Sequence, residues 1–249
     1  LDDWPWEVRI HSFGHCELSV NGEPVRFSRK TQKKPVQLIR ALVAMGGSDV
    51  PETRIIEALW PDAEADAAHT AFDTTLHRLR KLFSNDIIVH SEGRLSLDRR
   101  RVWTDVWAFE QLIQRLNEGA AGLDLKPRRE LLERALTLYR GHFLMEEMDS
   151  AWALPMREKL RTAFLQSLED FGRLLEEQRE WEPAIRWYRR GLELDMLAEQ
   201  FYQRIMFCYA ATDRKADAVE AYRQCYRVLL ASLNVEPSAR TKQLYKSIQ

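Results

Sequence analysis

Thr70, Thr74, His77, Arg78 and Lys81 follow one another at three- and four-residue steps, with His77 and Arg78 adjacent. On an α-helix that spacing gathers the five side chains on one face. The face offers hydroxyl, imidazole, guanidinium and ammonium groups. These can donate hydrogen bonds to base edges and phosphates in a DNA major groove. At about 100° per residue, Phe72, Leu76, Leu79 and Phe83 fall on the opposite side within about 60° of one another, a stripe that calls for burial. Asp73 and Arg80 lie on the flanks, where Arg80 suits a salt bridge to Asp73 or Glu57 as well as a phosphate. The competing reading is a plain solvated helix face.

Two further basic clusters bear on the choice. Arg26, Arg29, Lys30, Lys33 and Lys34 put five positive charges into nine residues with no acid among them. Arg94 stands at the tip of an expected hairpin, and Arg99-Arg100-Arg101 follows its second strand. If the hairpin folds beside the helix, three basic clusters meet on one face and give salt-dependent phosphate binding. Arg100 and Arg101 would alternate in direction on a strand, so not all three arginines can face DNA.

Other chemistry finds less support. His11 and His15, four apart on a strand, are about 13 Å apart and cannot share a metal unless Gly14 bulges the strand. His69, Asp73 and His77 have helical metal-ligand spacing, but the polar face already accounts for their setting. Cys208 and Cys225 read as small core residues. A phosphate-cradling Gly-Lys loop, a Gly-x-Ser-x-Gly turn and a Cys–His pair at catalytic spacing are all absent from the sequence. No catalytic residue, metal or cofactor is assigned, and the expectation is a protein that is not an enzyme.

The elements that must carry these residues follow from pattern. The chain has 249 residues, 45% of them hydrophobic and 30% charged, with a net charge of −1. That suits one to two folded domains and excludes a globally basic nucleic-acid coat. Three cysteines are too few for a disulfide scaffold, and no apolar run reaches membrane length. The chain opens Leu1-Asp2-Asp3-Trp4 without initiator Met or signal peptide, which reads as cytoplasmic and as a segment of a longer protein.

Val8–Phe13 and Cys16–Val20 alternate as strands, Asn21-Gly22 marks a tight hairpin, and Pro24–Phe27 returns as a third strand. A first helix buries Val36, Ile39, Leu42 and Val43 and ends at Gly46-Gly47; a second opens at Pro51; a third runs from about Ala67 to Phe83. Ile87–His90 and Arg94–Leu97 flank Ser91-Glu92-Gly93 as another hairpin.

Beyond residue 104 the pattern is helical. Helices at about 105–117, 127–140 and 150–166 precede a weak repeat in which Ala184 and Ala218 lie 34 residues apart, the tetratricopeptide period. Leu168, Phe171, Gly172 and Leu175, and then Tyr202, Ile205 and Tyr209, occupy the first-helix positions of the two repeats. Met196 and Leu230 stand where the repeat usually has Pro. The aromatic residues here are expected mainly in interhelix packing, and some could line a concave face.

The segments Ile55-Ile56-Glu57-Ala58-Leu59-Trp60, His77-Arg78-Leu79-Arg80-Lys81-Leu82 and Gly93-Arg94-Leu95-Ser96-Leu97 resemble the second helix, recognition helix and wing of OmpR-type winged helix-turn-helix domains, in the variant of the Streptomyces antibiotic regulatory proteins. Asp105–Glu110, Ala135–Gly141 and Asn234-Val235-Glu236-Pro237 are similar to the bacterial transcriptional activation domain. The wing departs from the usual Gly-Gly-Tyr-Arg-Leu, and Asn234 replaces a usual Gly at a left-handed position.

The resemblance implies an α+β winged helix-turn-helix at 1–104 and an all-α tetratricopeptide-like repeat domain at 105–249. In that docking mode the third helix enters the major groove of promoter DNA, with Thr70, Thr74, His77, Arg78 and Lys81 on bases or nearby phosphates. Arg29, Lys30 and Lys33 touch the backbone, and Arg94 lies over an adjacent minor groove. The loop from Pro61 to Asp66 helps contact RNA polymerase in related regulators, which implicates Asp62 and Glu64; N-capping by Asp66 on a solvated linker is the alternative. A second copy bound head-to-tail on direct repeats and an upstream sensor or ATPase domain are further expected partners. The function expected is a sequence-specific transcriptional activator. A protein-interaction scaffold whose winged helix leaves DNA alone, and a repressor, are the rival readings.

Overall fold

The structure is a computed structural model and describes residues 4–25, 33–83, 87–119 and 124–249. Packing divides the chain into two compact units, Leu1–Gln111 with Leu138–Arg161, and Leu112–Thr137 with Thr162–Gln249.

In the first unit β1 (Val8–His11) buries Val8 and Ile10 and pairs antiparallel with β2 (Glu17–Val20). Asn21 and Gly22, with φ of 49° and 84°, turn the chain into β3 (Glu23–Pro24), as an Asn-Gly hairpin requires. The expected third strand is thus short, and its Arg26 and Phe27 lie outside the described residues. The helices are α1 (Lys33–Ala44), α2 (Glu52–Leu59) and α3 (Ala65–Leu82). Pro35 fits the first turn of α1, where its missing N–H costs nothing.

α1 ends in two positive-φ glycines. A Cβ on Gly47 would sit 2.6 Å from the Trp107 ring. The Gly47 carbonyl accepts from Leu97 N–H at 2.9 Å, which ties the helix end to a strand.

Several local expectations are corrected. Pro51 does not open α2 but ends a short strand, β4 (Val50–Pro51), and N-caps the helix. β4 pairs with β6 (Arg94–Leu97), which pairs in turn with β5 (Ile88–Ser91). α3 begins two residues earlier than expected. Its N-cap is Glu64, with no side-chain cap bond, and Asp66 lies within its first turn. Arg99, Arg100 and Arg101 occupy a turn and not a strand. A last strand, β7 (Val102–Thr104), runs parallel to β1 and completes the sheet order β3-β2-β1-β7.

β7 leads directly into α4 (Asp105–Glu118). The Asp105 carboxylate is buried and accepts from Ser12 N–H (2.7 Å) and Phe13 N–H (3.0 Å) at the end of β1. Burial raises its pKa to about 6, against the lowering effect of those hydrogen bonds.

Residues 138–161 also pack in this unit. Leu144 N–H donates to the Ser12 carbonyl, Gly14 N–H to His142 and Met145 N–H to Gly14, while Phe13 and Phe143 form an antiparallel bridge. Arg40 pairs with Glu147 at 3.0 Å. The buried Arg157 guanidinium donates to the carbonyls of Phe143, Leu144, Glu147 and Met148 at 2.9 to 3.4 Å.

The second unit contains α5 (Leu125–Leu138, up to Thr137), α6 (Leu154–Glu177, from Thr162), α7 (Trp181–Leu194), α8 (Glu199–Ala211), α9 (Lys215–Leu233) and α10 (Ala239–Ile248). The helix expected at 150–166 and the first helix of the repeat are one continuous α6, because nothing between Pro155 and Glu177 interrupts it. Leu168, Phe171, Gly172, Leu175 and Ala184 are buried, as are Tyr202, Ile205, Tyr209 and Ala218. Gly172 lets α7 approach, since a Cβ there would overlap the Tyr188 ring. Buried Glu176 accepts from Tyr188 Oη (2.7 Å) and Arg204 Nε (2.9 Å), which links three helices. Asn234 C-caps α9 in the left-handed conformation, φ 54° and ψ 36°. Among the described residues no helix is long and apolar enough to cross a membrane.

Two expected outcomes follow. A carboxyl with a folded pKa above its unfolded value binds its proton more tightly when folded. Its contribution therefore grows as pH falls through about 6 and is lost as pH rises through it. Asp105→Asn cannot titrate, so wild type should gain about 1 kcal/mol on the variant between about pH 7.5 and about pH 5. Denaturant melts at both pH values measure this, and a constant difference would contradict it. Gly172→Ala should cost about 1–3 kcal/mol, read from the urea midpoint, because Tyr188 must move.

Candidate nucleic-acid interface

α3 divides cleanly into two faces. Phe72, Leu76, Leu79 and the C-cap Phe83 are buried at 1, 3, 0 and 0% exposure, joined by Ala68 and Thr75. Thr70, Thr74, His77, Arg78 and Lys81 are all exposed on the other side. The Thr70 and Thr74 hydroxyls donate to the carbonyls of Asp66 and Thr70, each 2.9 Å away. That leaves their oxygens able to accept. His77, Arg78 and Lys81 have no hydrogen bond or ion pair among the described residues. These groups therefore meet an incoming ligand without first breaking an internal contact.

The scaffold behind the helix is short and polar at its edges. The hairpin β5–β6 turns at Glu92 and Gly93, with φ of 51° and 68°. His90 packs edge-on to Phe72 and bonds Glu52 through Nε2 at 2.7 Å, which fastens the hairpin to both α3 and α2. Arg80 does not meet Asp73 or Glu57. It turns back to the hairpin, where its guanidinium reaches the Ile88 carbonyl at 3.5 Å.

Several side chains of the other basic clusters have partners within the chain while staying at the surface. Lys34 donates to the Leu59 carbonyl at 2.6 Å and lies over the Trp60 ring, so it caps α2. Burial and the neighbouring Lys33 lower its pKa. Arg99 stacks over Trp107, Arg100 grips Asp98, and Arg101 pairs with Glu7 at 3.6 Å. The hydrogen bond from Arg100 holds the Asp98 carboxyl below its usual range. Of these clusters, Lys34 and Arg99–Arg101 have partners within the chain, the basic side chains on the exposed α3 face are unpaired among the described residues, and Lys33 is exposed at the start of α1. Arg29 and Lys30 lie outside the described residues. Arg94 is half-exposed and bound to the Asp49 carboxylate at 3.0 Å. Nothing in the sequence marks Lys34, 26 residues before Trp60, or the run Arg99–Arg101 as having these partners.

Between α2 and α3 the chain turns at Trp60–Glu64, and Asp62 and Glu64 are exposed. An open cup of about 410 Å³ lies beside this loop, lined by Ile56, Glu57, Trp60, Pro61, Ala63 and Ala68 among others. Its lining is mostly apolar, with Thr53, Glu57 and His69 as the polar residues. Among the described residues no group of three or more His, Cys, Asp or Glu is arranged to hold a metal, so His69, Asp73 and His77 form no such site.

Comparison with known proteins adds independent findings. The bacterial transcriptional activator domain family matches residues 104–249. The chain is 26% identical to the regulatory protein DnrI of Streptomyces peucetius, over 97% of this chain and 92% of that protein. It is 25% identical to the regulatory protein AfsR of Streptomyces coelicolor, over 85% of this chain but only 21% of AfsR. Its fold is similar to that of Mycobacterium tuberculosis EmbR, solved in complex with a low-affinity phosphopeptide. The TM-score is 0.77 at 18% identity, and the match covers 97% of this chain and 65% of EmbR.

Proposed function

Because the chain belongs to the bacterial transcriptional activator domain family and resembles the Streptomyces antibiotic regulatory proteins along nearly its whole length, we propose that it is a sequence-specific DNA-binding activator that recruits RNA polymerase. The elements β1–β7 and α1–α3 act as an OmpR-type winged helix-turn-helix within residues 1–104, and a tetratricopeptide-like repeat domain occupies 105–249. The observation that carries the reading is the exposed face of α3, where Thr70, Thr74, His77, Arg78 and Lys81 stand opposite a fully buried stripe.

α3 lies in the major groove of promoter DNA. Arg78 and Lys81 bind guanine edges or phosphate, and the two threonines and His77 complete the base contacts. Lys33, with Arg29 and Lys30, binds the phosphate backbone, and Arg94 exchanges Asp49 for a phosphate at the neighbouring minor groove. Two copies sit head-to-tail on direct repeats. The acidic loop Asp62–Glu64, next to the apolar cup, meets a basic surface of RNA polymerase. A protein-interaction scaffold is favoured by a different feature, a groove of about 540 Å³ along α7–α9, lined by Leu192, Met196, Tyr202, Ile205 and Val228.

Selection of bound fragments from random duplex DNA, with affinity followed across salt, tests the proposal. A recovered direct repeat bound with a steep salt dependence supports it, and no enrichment overturns it in favour of the scaffold. Arg78→Ala with Lys81→Ala should weaken operator binding by roughly a hundredfold, since each lost contact costs about 1–3 kcal/mol, while the thermal midpoint stays put. An unchanged affinity in the folded double variant would remove α3 from the interface. Reversing the charges of Asp62 and Glu64 to Lys should reduce transcription in a reconstituted assay and leave DNA binding unchanged. Equal loss of both would make the loop part of the DNA contact.

A further inference from the structure

We propose that Asp73 reads a cytosine in the operator by accepting a hydrogen bond from its N4 amino group. The inference rests on the reading of α3 as the DNA-reading helix. Asp73 is exposed on α3, one turn after Thr70 and one turn before His77. It forms no hydrogen bond or ion pair among the described residues, although Arg78 and Lys81 stand on the same helix.

Among the described residues, local structure gives no reason for an acid there. Aspartate is a poor helix former in a helix interior. Position 73 is more than two turns from the N-cap Glu64, too far to satisfy free N–H groups or to gain from the helix dipole. His69 and His77, four residues to either side, do not bond it. Next to phosphates an unpaired carboxylate is repelled, so its presence at a DNA interface calls for a specific donor.

A carboxylate can only accept hydrogen bonds. In the major groove the base donors are the amino groups of cytosine and adenine. Adenine sets the N7 acceptor beside its amino group, and guanine presents two acceptors, so both oppose a carboxylate. Cytosine offers its N4 donor without an adjacent acceptor of its own. The carboxylate thus adds discrimination at one base pair and lowers affinity for every other sequence.

The test uses the full chain and duplexes selected by the wild type. The selected motif should contain a cytosine whose replacement by thymine lowers wild-type affinity roughly ten- to a hundredfold. The same replacement should change the affinity of Asp73→Ala by less than about twofold. Asp73→Ala should also bind random DNA at least as tightly as wild type, because a repelling charge is gone. Asp73→Asn should shift the preference at that position from cytosine towards adenine. If Asp73→Ala keeps the wild-type motif and base profile, Asp73 reads no base and the inference fails. If the Arg78→Ala, Lys81→Ala variant also keeps its affinity, the placement of α3 fails separately.

Discussion

The N-terminal unit hangs on one buried carboxylate. Asp105 takes the N–H groups of Ser12 and Phe13 just past the end of β1, at the point where β7, parallel to β1, hands over to α4. Parallel strands need a long crossover, and here the crossover contains β2, β3, all three helices and the β5–β6 hairpin. The same turn of α4 brings Trp107 over Gly47 and lets its indole donate to the Gly46 carbonyl at 3.1 Å. The end of α1 is thereby set, and with it β6, which bonds the Gly47 carbonyl. Positioning of the exposed α3 face passes through these contacts, none of which lies on that face.

The cost of this arrangement is electrostatic. A carboxyl removed from water prefers its proton, and the backbone donors of Ser12, Phe13 and Val106 with the Arg140 charge only partly offset that preference. The second unit handles its own buried acid differently. Glu176 sits against the Arg204 guanidinium and the Tyr188 hydroxyl, so its charge is matched where it lies. One unit holds a strand end with an acid whose pKa burial pushes up to about 6, and the other joins helices with a compensated one.

Much of this was legible in the sequence, and the illegible parts share a cause. The α3 stripe, the Asn21-Gly22 turn and the hairpin at Glu92-Gly93 follow from local pattern, the left-handed Asn234 follows from the family resemblance, and each has its counterpart in the structure. β4 and β7 have two and three residues, too few to show a period, and exist only because distant strands pair with them. The continuity of α6 is hidden because the 34-residue spacing marks only its later part, from Leu168 onwards. In the candidate interface, exposure of the five α3 residues could be anticipated from a helical wheel. The diversion of Lys34, Arg80 and Arg99–Arg101 into internal contacts could not, since a positive charge looks the same in sequence whether it faces solvent, a ring or a carbonyl.

Arg157 holds the loop after α5 entirely through main-chain oxygens, those of Phe143, Leu144, Glu147 and Met148. The contacts of Arg157 therefore place no demand on which side chains those residues carry, whereas burial fixes Phe143 and Leu144 and the Arg40 pair fixes Glu147. The guanidinium itself is not free in this way. A lysine carries the same charge but lacks a planar fork that can serve four carbonyls at once. Among descendants of this sequence, exposed loop positions such as Met145, Met148 and Asp149 should diversify around an arginine that does not.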